Sequence, residues 1–388
     1  MKILFVTPAF YPAFHYGGPI YSTYELAKAL KKQNLDVKVI TTNANGKERL
    51  KVKTGKFFYL DNELPVKYYK SLDSRGTSLS MILNLRKEVK NSDLVYLISV
   101  FSPPTPFIII LSIIYKKKLV ISPRGQLGEW CINQGSRLKK LWLKLFIKPF
   151  LFDFWWHLTA LDEQNDLLSV LPRARTFVIP NGIDKRFLKI KNYNKDKLFF
   201  KKYSKIVTEN SKVIVSLGRL HKKKGFDVLI HAYKKVKMHI QEAVLFIAGE
   251  DFGEKDNLIK LIYSENLEEK IFIIGHIEGE EKINFLKNAD IFALASRHEN
   301  FGLVYGEALA AGTPIVASKY TPWQDADKQN FGRWCENTPD QFANAIIKIL
   351  QSDSIKMGMN GKKFIEENFS WDKIAKEFLL KIKEINYE

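Results

Sequence analysis

The sequence contains little cysteine and no uninterrupted apolar segment of membrane-spanning length. Its 388 residues include two cysteines, Cys131 and Cys335, which excludes a dense disulfide framework and favours a reducing, cytoplasmic location. The apolar stretch 3–6 is too short for the apolar region of a signal peptide. The longest apolar stretch, 101–115, contains three prolines and is shorter than the roughly 20 residues of a spanning helix, so it predicts a buried or interfacial helix.

Acidic residues are scarce relative to basic ones, because 42 Asp and Glu stand against 61 Lys and Arg, a formal net charge of +19. This balance favours an anionic partner. Between residues 115 and 148 there are nine Lys or Arg and one acid, Glu129, and apolar residues recur at helical spacing from Leu138 to Phe146. The helix predicted at about 137–148 suits an anionic membrane surface as well as an ordinary protein core. Nucleic acid is not expected, because no recognised binding module accompanies the lysines.

Short apolar runs alternate with helical patterns along the chain, which predicts an α/β fold with parallel sheets covered by helices. A length of 388 residues with 46% hydrophobic content is enough for two cores. The charged, asparagine-rich stretch 185–212 is the best candidate for the crossing between them. We therefore expect one domain over 1–188, against which the final helix at about 370–388 packs, and a second domain over 189–369.

A basic turn bounded by glycines follows the apolar pattern 213–217. It runs from Gly218 to Gly225 and precedes a helical pattern, so it is expected at a strand-to-helix turn where free N–H groups face a ligand. Arg219 can bind two phosphate oxygens and Lys224 adds a compact charge, so the pair could neutralise a diphosphate leaving group without a metal. A solvated basic loop is the alternative for this motif alone.

An acidic motif with an internal glycine follows the apolar run 290–295 and extends from Glu299 to Glu307. Backbone N–H groups at the start of the next helix suit a phosphate or a ribose, and a carboxylate can accept two hydroxyls at once. Glu299 therefore suits the transferred sugar and Glu307 the ribose, whereas either alone could be an exposed or capping residue. The candidate donor-binding residues in this motif are Asn300, Phe301, Gly302, Leu303 and Glu307.

A third loop, 9–19, joins the first strand to its helix and contains Gly17 and Gly18. Gly18 would let the backbone approach the donor diphosphate or the acceptor, unless the loop is an ordinary turn. The loop lacks the G-x-G-x-x-G pattern of dinucleotide-binding sites, which disfavours a hydride-transfer enzyme.

These motifs resemble those of the retaining glycosyltransferases of family 4, which have the GT-B fold. The matches are the basic turn 218–225, the acidic motif 299–307, the Gly17-Gly18 pair and the segment 180–184, so the resemblance spans nearly the whole chain. It implies an α/β architecture of two Rossmann-like doubly wound domains facing a cleft.

The same resemblance implies transfer of a hexose-type sugar, with retention, from a nucleoside-diphosphate sugar to a saccharide or lipid-linked saccharide acceptor. The catalytic candidates are Arg219, Lys224 and Glu299, and the setting is cell-surface polysaccharide biosynthesis, in the cytoplasm or on the inner face of its membrane. No cofactor is expected. Asp325 and Asp327 satisfy the D-x-D pattern of metal-dependent glycosyltransferases. With Arg219 and Lys224 available a divalent ion would be redundant, so metal-independence is expected.

One segment departs from the family pattern. Many relatives have a histidine where this sequence has 120–125, so no histidine role carries over. Arg124 is expected to contact an anionic group or the acceptor instead, together with Asn181. His15 and His157 are expected to be structural.

Two other functions fit part of this pattern. A sugar-nucleotide epimerase would share the fold and the diphosphate site but would act without an acceptor. A catalytically silent subunit that docks on a membrane would keep the basic helix but bind no donor.

Overall fold

The computed structural model describes residues 1–128, 131–132, 137–190 and 194–387. Contacts divide the chain into two compact units. Unit 1 is Met1–Gly182 with Trp371–Glu388, and unit 2 is Ile183–Ser370. Each contains a sheet of mainly parallel strands covered by helices, which confirms the expected α/β class. Glu129 lies outside the described residues.

Unit 1 has an eight-stranded sheet and a small two-stranded one. The strands are β1 Lys2–Val6, β2 Asp36–Thr42, β3 Ala44–Asn45, β4 Glu48–Arg49, β5 Phe57–Leu60, β6 Leu64–Tyr69, β7 Leu94–Ile98, β8 Lys118–Ser122, β9 Trp155–Leu158 and β10 Arg175–Val178. The large sheet has the order β10-β9-β8-β7-β1-β2-β6-β5, in which β5 alone runs antiparallel to its neighbour. All five residues of β7 are buried, as expected for a strand covered on both faces.

Helices cover both faces of this sheet. They are α1 Gly18–Lys32, α2 Leu79–Lys90, α3 Thr105–Ile114, α4 Arg137–Trp142, α5 Leu161–Val170 and the C-terminal helix Trp371–Tyr387. A π-helical turn, Leu143–Ile147, and a 3-10 turn, Lys148–Phe150, continue α4. One core cluster joins α1 and the C-terminal helix to one sheet face, and another joins α2, α3 and 143–154 to the opposite face. In the described part of the chain, no helix is both long enough and apolar enough to cross a bilayer.

Unit 2 contains a six-stranded parallel sheet. Its strands are β11 Lys212–Leu217, β12 Ala243–Ala248, β13 Ile271–Gly275, β14 Ile291–Leu294, β15 Ile315–Ser318 and β16 Gly332–Cys335. Its helices are α6 Lys185–Leu188, α7 Phe226–His239, α8 Lys255–Ser264, α9 Gly279–Lys287, α10 Leu303–Ala310, α11 Asp325–Lys328, α12 Pro339–Leu350 and α13 Ser354–Asn368. The strand order β13-β12-β11-β14-β15-β16 is that of a doubly wound domain, and the direction of winding reverses between β11 and β14.

The chain passes from unit 1 to unit 2 after Gly182, six residues before the boundary after residue 188 that was expected from the sequence. Ile183 and Phe187 belong to the core of unit 2, and the Ile183 N–H donates to the Phe369 carbonyl at 2.7 Å. A Cβ on Gly182 would lie 2.5 Å from the Trp371 ring, so the chain leaves unit 1 through a position that has no room for a side chain.

Candidate active site

The basic turn and the acidic motif follow adjacent strands of unit 2. Strands β11 and β14 pair in parallel, with Ile214 opposite Ile291 and Val215 opposite Phe292. Because the carboxyl ends of parallel strands lie at one edge of a sheet, both motifs lie at that edge, at the point where winding reverses. This is where open α/β sheets bind their ligands.

Gly225 allows the two motifs to approach each other. Its φ is +64°, and a Cβ there would lie 1.8 Å from the carbonyl oxygen of Ala295, at the start of the second loop. The Arg297 N–H donates to the Lys223 carbonyl at 2.8 Å, and the Arg297 guanidinium pairs with both carboxylate oxygens of Asp227 at 3.0 and 2.6 Å. The sequence patterns do not predict the roles of Arg297 and Asp227, since neither residue is part of a recognisable motif.

This approach places Lys224 and Glu299 in an ion pair. Their side chains are only 17% and 13% exposed, and the Ser296 hydroxyl donates to the same carboxylate oxygen, Glu299 Oε1, at 2.8 Å. Burial opposes ionisation of Glu299, but the adjacent Lys224 charge and the hydrogen bonds from Lys224 and Ser296 keep its pKa below the ordinary value. Glu299 is therefore a carboxylate at neutral pH, able to accept hydroxyl groups.

Arg219, in the same basic turn, is exposed and differently placed. Its guanidinium lies 5.0 Å from the centre of the Phe252 ring, a cation–π contact, and donates no hydrogen bond within the described residues. Partial burial and the nearby Arg219 charge lower the pKa of His221. The turn is thus a site of positive potential with an arginine fork available to a ligand.

The acidic motif turns into α10 through Gly302, whose φ is +70°. A Cβ there would lie 2.7 Å from the Tyr305 ring. The N–H groups at the start of an α-helix have no intrahelical acceptors, so this end of α10 can receive an anion. Phe301 is buried, with its carbonyl bound by the Trp323 indole N–H at 2.8 Å, so its ring belongs to the core. Asn300 and Leu303 are half-buried beside it.

Glu307 is mostly buried on α10 and pairs with Lys282 of α9. The Lys282 ammonium lies 2.7 Å from Oε1, to which it donates a hydrogen bond, and 2.6 Å from Oε2. Oε2 is buried against this ammonium, so both carboxylate oxygens of Glu307 contact Lys282. A ligand hydroxyl would therefore bind this carboxylate by displacing the ammonium from one of its oxygens. Lys282 is a partner that no sequence motif indicates.

In unit 1 the left-handed backbone of the glycine loop belongs to Gly17, at φ +74°, and not to Gly18. Gly18 is the exposed first residue of α1. The positive φ in this loop is therefore a requirement at Gly17, and the predicted role of Gly18 in backbone approach to the donor or acceptor stays a prediction.

Arg124 and Asn181, both candidates for acceptor or anion contact, contact each other. Arg124 donates to Asn181 Oδ1 at 2.7 Å and to the Tyr96 hydroxyl at 3.1 Å. Tyr96 also hydrogen-bonds to His157 Nδ1 at 2.6 Å, and His157 Nε2 lies 2.8 Å from the Ile179 carbonyl. Burial, with Arg124 nearby, lowers the pKa of His157 to about 3, so the ring is neutral and structural, as expected. The Nε of Arg124 is buried with no hydrogen-bond partner among the described residues.

The D-x-D residues lie on the short helix α11. The carboxylate of Asp327 accepts the Trp334 N–H at 2.9 Å and lies 3.7 Å from Arg333. Asp327 thus has local partners, while Asp325 begins the helix. His15, the other histidine that was expected to be structural, packs against Gly46. A Cβ on Gly46 would lie 2.6 Å from the His15 ring.

Comparisons with known proteins identify the family. The family model described as glycosyltransferase family 4 matches residues 16–187, and the model described as glycosyl transferases group 1 matches 199–367. An uncharacterized glycosyltransferase of Methanocaldococcus jannaschii is 33% identical over 222 residues, 56% of this chain and 56% of that protein. The chain thus spans little more than half the length of this relative. The O-antigen biosynthesis glycosyltransferase WclY of Escherichia coli is 23% identical over 326 residues, 83% of this chain and 87% of that protein.

Solved structures share the fold. HepE of Anabaena, in complex with UDP and glucose, is 19% identical with a TM-score of 0.72, over 99% of this chain and 100% of that one. The lipopolysaccharide glycosyltransferase WaaG is 14% identical with a TM-score of 0.68, over 96% and 98% of the two chains. The two family models cover most of both units, and the chain belongs to the family 4 glycosyltransferases of GT-B fold.

Proposed function

We propose that this protein is a retaining, metal-independent glycosyltransferase that transfers a sugar from a nucleoside-diphosphate sugar to a saccharide or lipid-linked saccharide acceptor. The observation that carries the proposal is the Lys224–Glu299 pair beside the available Arg219 guanidinium, at the point of unit 2 where doubly wound sheets bind ligands. This set has a cationic side for a diphosphate and an anionic side for a sugar.

The diphosphate binds through Arg219, Lys224 and the first N–H groups of α10. An ammonium has three N–H donors, so the bond of Lys224 to Glu299 leaves two for phosphate oxygens. Negative charge on the leaving diphosphate grows as the glycosidic bond breaks, so contacts from these cations strengthen in the transition state. Two cations therefore supply the charge stabilisation that a divalent ion would otherwise provide.

The two glutamates orient the rest of the donor. Glu299 remains ionised because of Lys224 and accepts hydroxyls of the transferred sugar. Glu307 accepts a ribose hydroxyl in place of part of its contact with the Lys282 ammonium. The acceptor hydroxyl then attacks the anomeric carbon from the face that the nucleoside diphosphate leaves and gives its proton to the departing phosphate oxygen. The anomeric configuration is thus retained without a covalent enzyme intermediate.

Relatives support a donor and a pathway of this kind. HepE is described in complexes with UDP-glucose and with UDP and glucose, which makes a nucleoside-diphosphate hexose the first donor to test. WclY and WaaG are described as acting in O-antigen and lipopolysaccharide biosynthesis, so we assign this protein to surface-polysaccharide assembly. The two free cysteines agree with a cytoplasmic location.

The deciding experiment is calorimetric titration with UDP- and GDP-sugars, followed by NMR of products made with and without saccharide acceptors in excess EDTA. We expect one donor to bind and an α- or β-linkage identical to that of the donor to form despite the chelator. An epimeric product without acceptor would identify an epimerase, and failure of every donor to bind would identify a catalytically silent subunit. Activity lost in EDTA and restored by manganese would contradict metal-independence.

A further inference from the structure

One helical layer of unit 1 has apolar side chains on both of its faces. The layer consists of α2, α3 and the segment 137–152, and its inner side chains share one core cluster with the sheet. The outer side should be polar if the layer faces only water. It is not, and the exposed apolar side chains are Leu79, Leu83, Phe107, Ile110, Ile113, Ile114, Leu138, Leu141, Leu145 and Phe152.

Helix α3 shows this most directly. Ile108 and Ile109 are buried against the sheet, while Phe107, Ile110 and Ile114 are 47%, 46% and 62% exposed at spacings that place them along one outer face. Seven of the ten residues of α3 are Phe, Ile or Leu, and the other three are Thr105, Pro106 and Ser112. Exposure of such an aliphatic face to water is unfavourable, and covering it with another apolar surface lowers the free energy.

The segment 137–152 continues the same pattern. Leu138, Leu141 and Leu145 are 71%, 49% and 51% exposed, and the core contacts are made instead by Leu143 and Ile147. The apolar stripe that the sequence pattern left open as either core or membrane-facing is therefore largely outside the core.

The three parts of the layer adjoin one another. Arg86 of α2 donates to the hydroxyl of Tyr115, just after α3, at 2.7 Å. The Trp142 indole N–H of α4 donates to the Val100 carbonyl, which precedes α3, at 3.0 Å. Of the 22 large apolar side chains exposed among the described residues, ten belong to this one layer, so the exposure is concentrated and not scattered.

Cations surround these apolar side chains. The ranges 79–90, 105–118 and 137–152 contain eleven Lys or Arg and one acid, Glu88. Glu88 itself lies 3.6 Å from Lys67 and so adds little negative charge. On α4 and the turn after it, Arg137, Lys140, Lys144 and Lys148 are exposed beside the leucine stripe.

We propose that this apolar and basic face docks on the surface of a bilayer that contains anionic lipids, without spanning it. Aliphatic side chains enter the interface between headgroups and acyl chains, and lysines at the edge contact lipid phosphates. A second copy of the chain is a poor occupant, because a twofold interface would oppose the same cations. The proposal concerns residues of unit 1, whereas the proposed donor residues belong to unit 2, and it does not depend on the donor or the reaction.

The test is flotation of the purified full chain with vesicles of phosphatidylcholine alone or with phosphatidylglycerol, at low and high salt. We expect binding to the anionic vesicles that weakens as salt rises. The variant Lys140→Glu/Lys144→Glu should lower the partition coefficient at least about 25-fold, roughly fivefold for each lysine charge removed. The control Lys348→Glu/Lys356→Glu carries the same change of charge on exposed positions of unit 2 and should bind as the wild type does.

The apolar contribution is tested by Ile110→Ser/Ile114→Ser/Leu141→Ser, which should reduce binding that persists at high salt. Its control is Met238→Ser/Ile355→Ser, exposed apolar positions in unit 2. Circular dichroism melts check that every variant is folded. Equal binding to both vesicle types, no binding to either, or a self-association that the serine variant abolishes in the absence of lipid would each overturn the proposal.

Discussion

The ammonium of Lys224 lies against the carboxylate of Glu299, although 75 residues separate them in the chain. Both side chains are mostly buried, so each charge depends on the other for compensation. Arg219, five residues before Lys224, has no comparable ion pair in the described structure and lies over an aromatic ring at the surface. The two cations of one turn therefore differ in structural role, and substitutions should separate them.

Replacement of Arg219 by alanine should lower kcat/KM by more than tenfold, because its contact with the leaving diphosphate strengthens in the transition state. The free energy of unfolding should change by no more than about 0.5 kcal/mol, because the side chain is exposed. Steady-state kinetics and denaturant melts measure the two quantities. Lys222→Ala, an exposed cation in the same turn, is the control and should leave both nearly unchanged. A similar loss in the control would show that general positive charge matters and that the arginine fork does not.

Replacement of Lys224 by methionine should lower both activity and stability. It leaves the carboxylate of Glu299 mostly buried without its cation, which costs on the order of 2 kcal/mol or more. The double variant Lys224→Met/Glu299→Gln should recover much of the stability in denaturant melts without recovering turnover. If the double variant is no more stable than the single one, the pair is not what stabilises this edge of unit 2.

Gly225→Ala should destabilise the protein more than Gly279→Ala does. Both glycines have similar positive φ values, +64° and +56°, but a Cβ on Gly225 would lie 1.8 Å from the Ala295 carbonyl whereas one on Gly279 meets nothing within 4 Å. The conformational cost of about 1 kcal/mol is common to both, so the excess at Gly225 reports the close approach of the two motifs. Equal losses of unfolding free energy in urea would contradict this approach.

Glu307→Gln should weaken UDP binding about tenfold, by loss of a charged acceptor for ribose, about 1.4 kcal/mol. Calorimetric titration with UDP measures this loss. Inorganic pyrophosphate provides a matched control ligand, because it has the diphosphate without the ribose and should bind the variant as it binds the wild type. Equal weakening for both ligands would mean that Glu307 supports the site as a whole and does not contact the ribose.

Acid should destabilise the protein through His157. Its pKa of about 3 in the folded protein lies below the value of about 6.5 expected in the unfolded chain, so the unfolded state binds the proton first as pH falls. The stability is fully present above pH 6.5 and decreases towards pH 3, by up to about 1.4 kcal/mol per pH unit. The pH dependence of unfolding should be shallower in His157→Gln than in the wild-type protein, and denaturant melts at several pH values measure this difference.

Several features of the fold and site follow from local sequence. Apolar runs such as 94–98 predict buried parallel strands, because the period of hydrophobicity is a property of neighbouring residues. The basic turn and the acidic motif likewise indicate Arg219, Lys224 and Glu299 as candidate site residues, because each motif lies within ten residues of chain.

Other features depend on strand order, which no local pattern encodes. The partners Lys282 for Glu307 and Arg297 for Asp227 become neighbours only because the loops after β11 and β14 and the helices beside them meet at one sheet edge.

What the sequence alone determined is therefore the alternation of strands and helices, the family and the chemical groups of the proposed donor site. The tertiary structure decided which of those groups touch, that Gly17 takes the left-handed turn beside Gly18, and that Leu138, Leu141 and Leu145 lie outside the core. Periodicity shows that a helix has an apolar stripe, but only the packing of the other elements determines whether that stripe is covered.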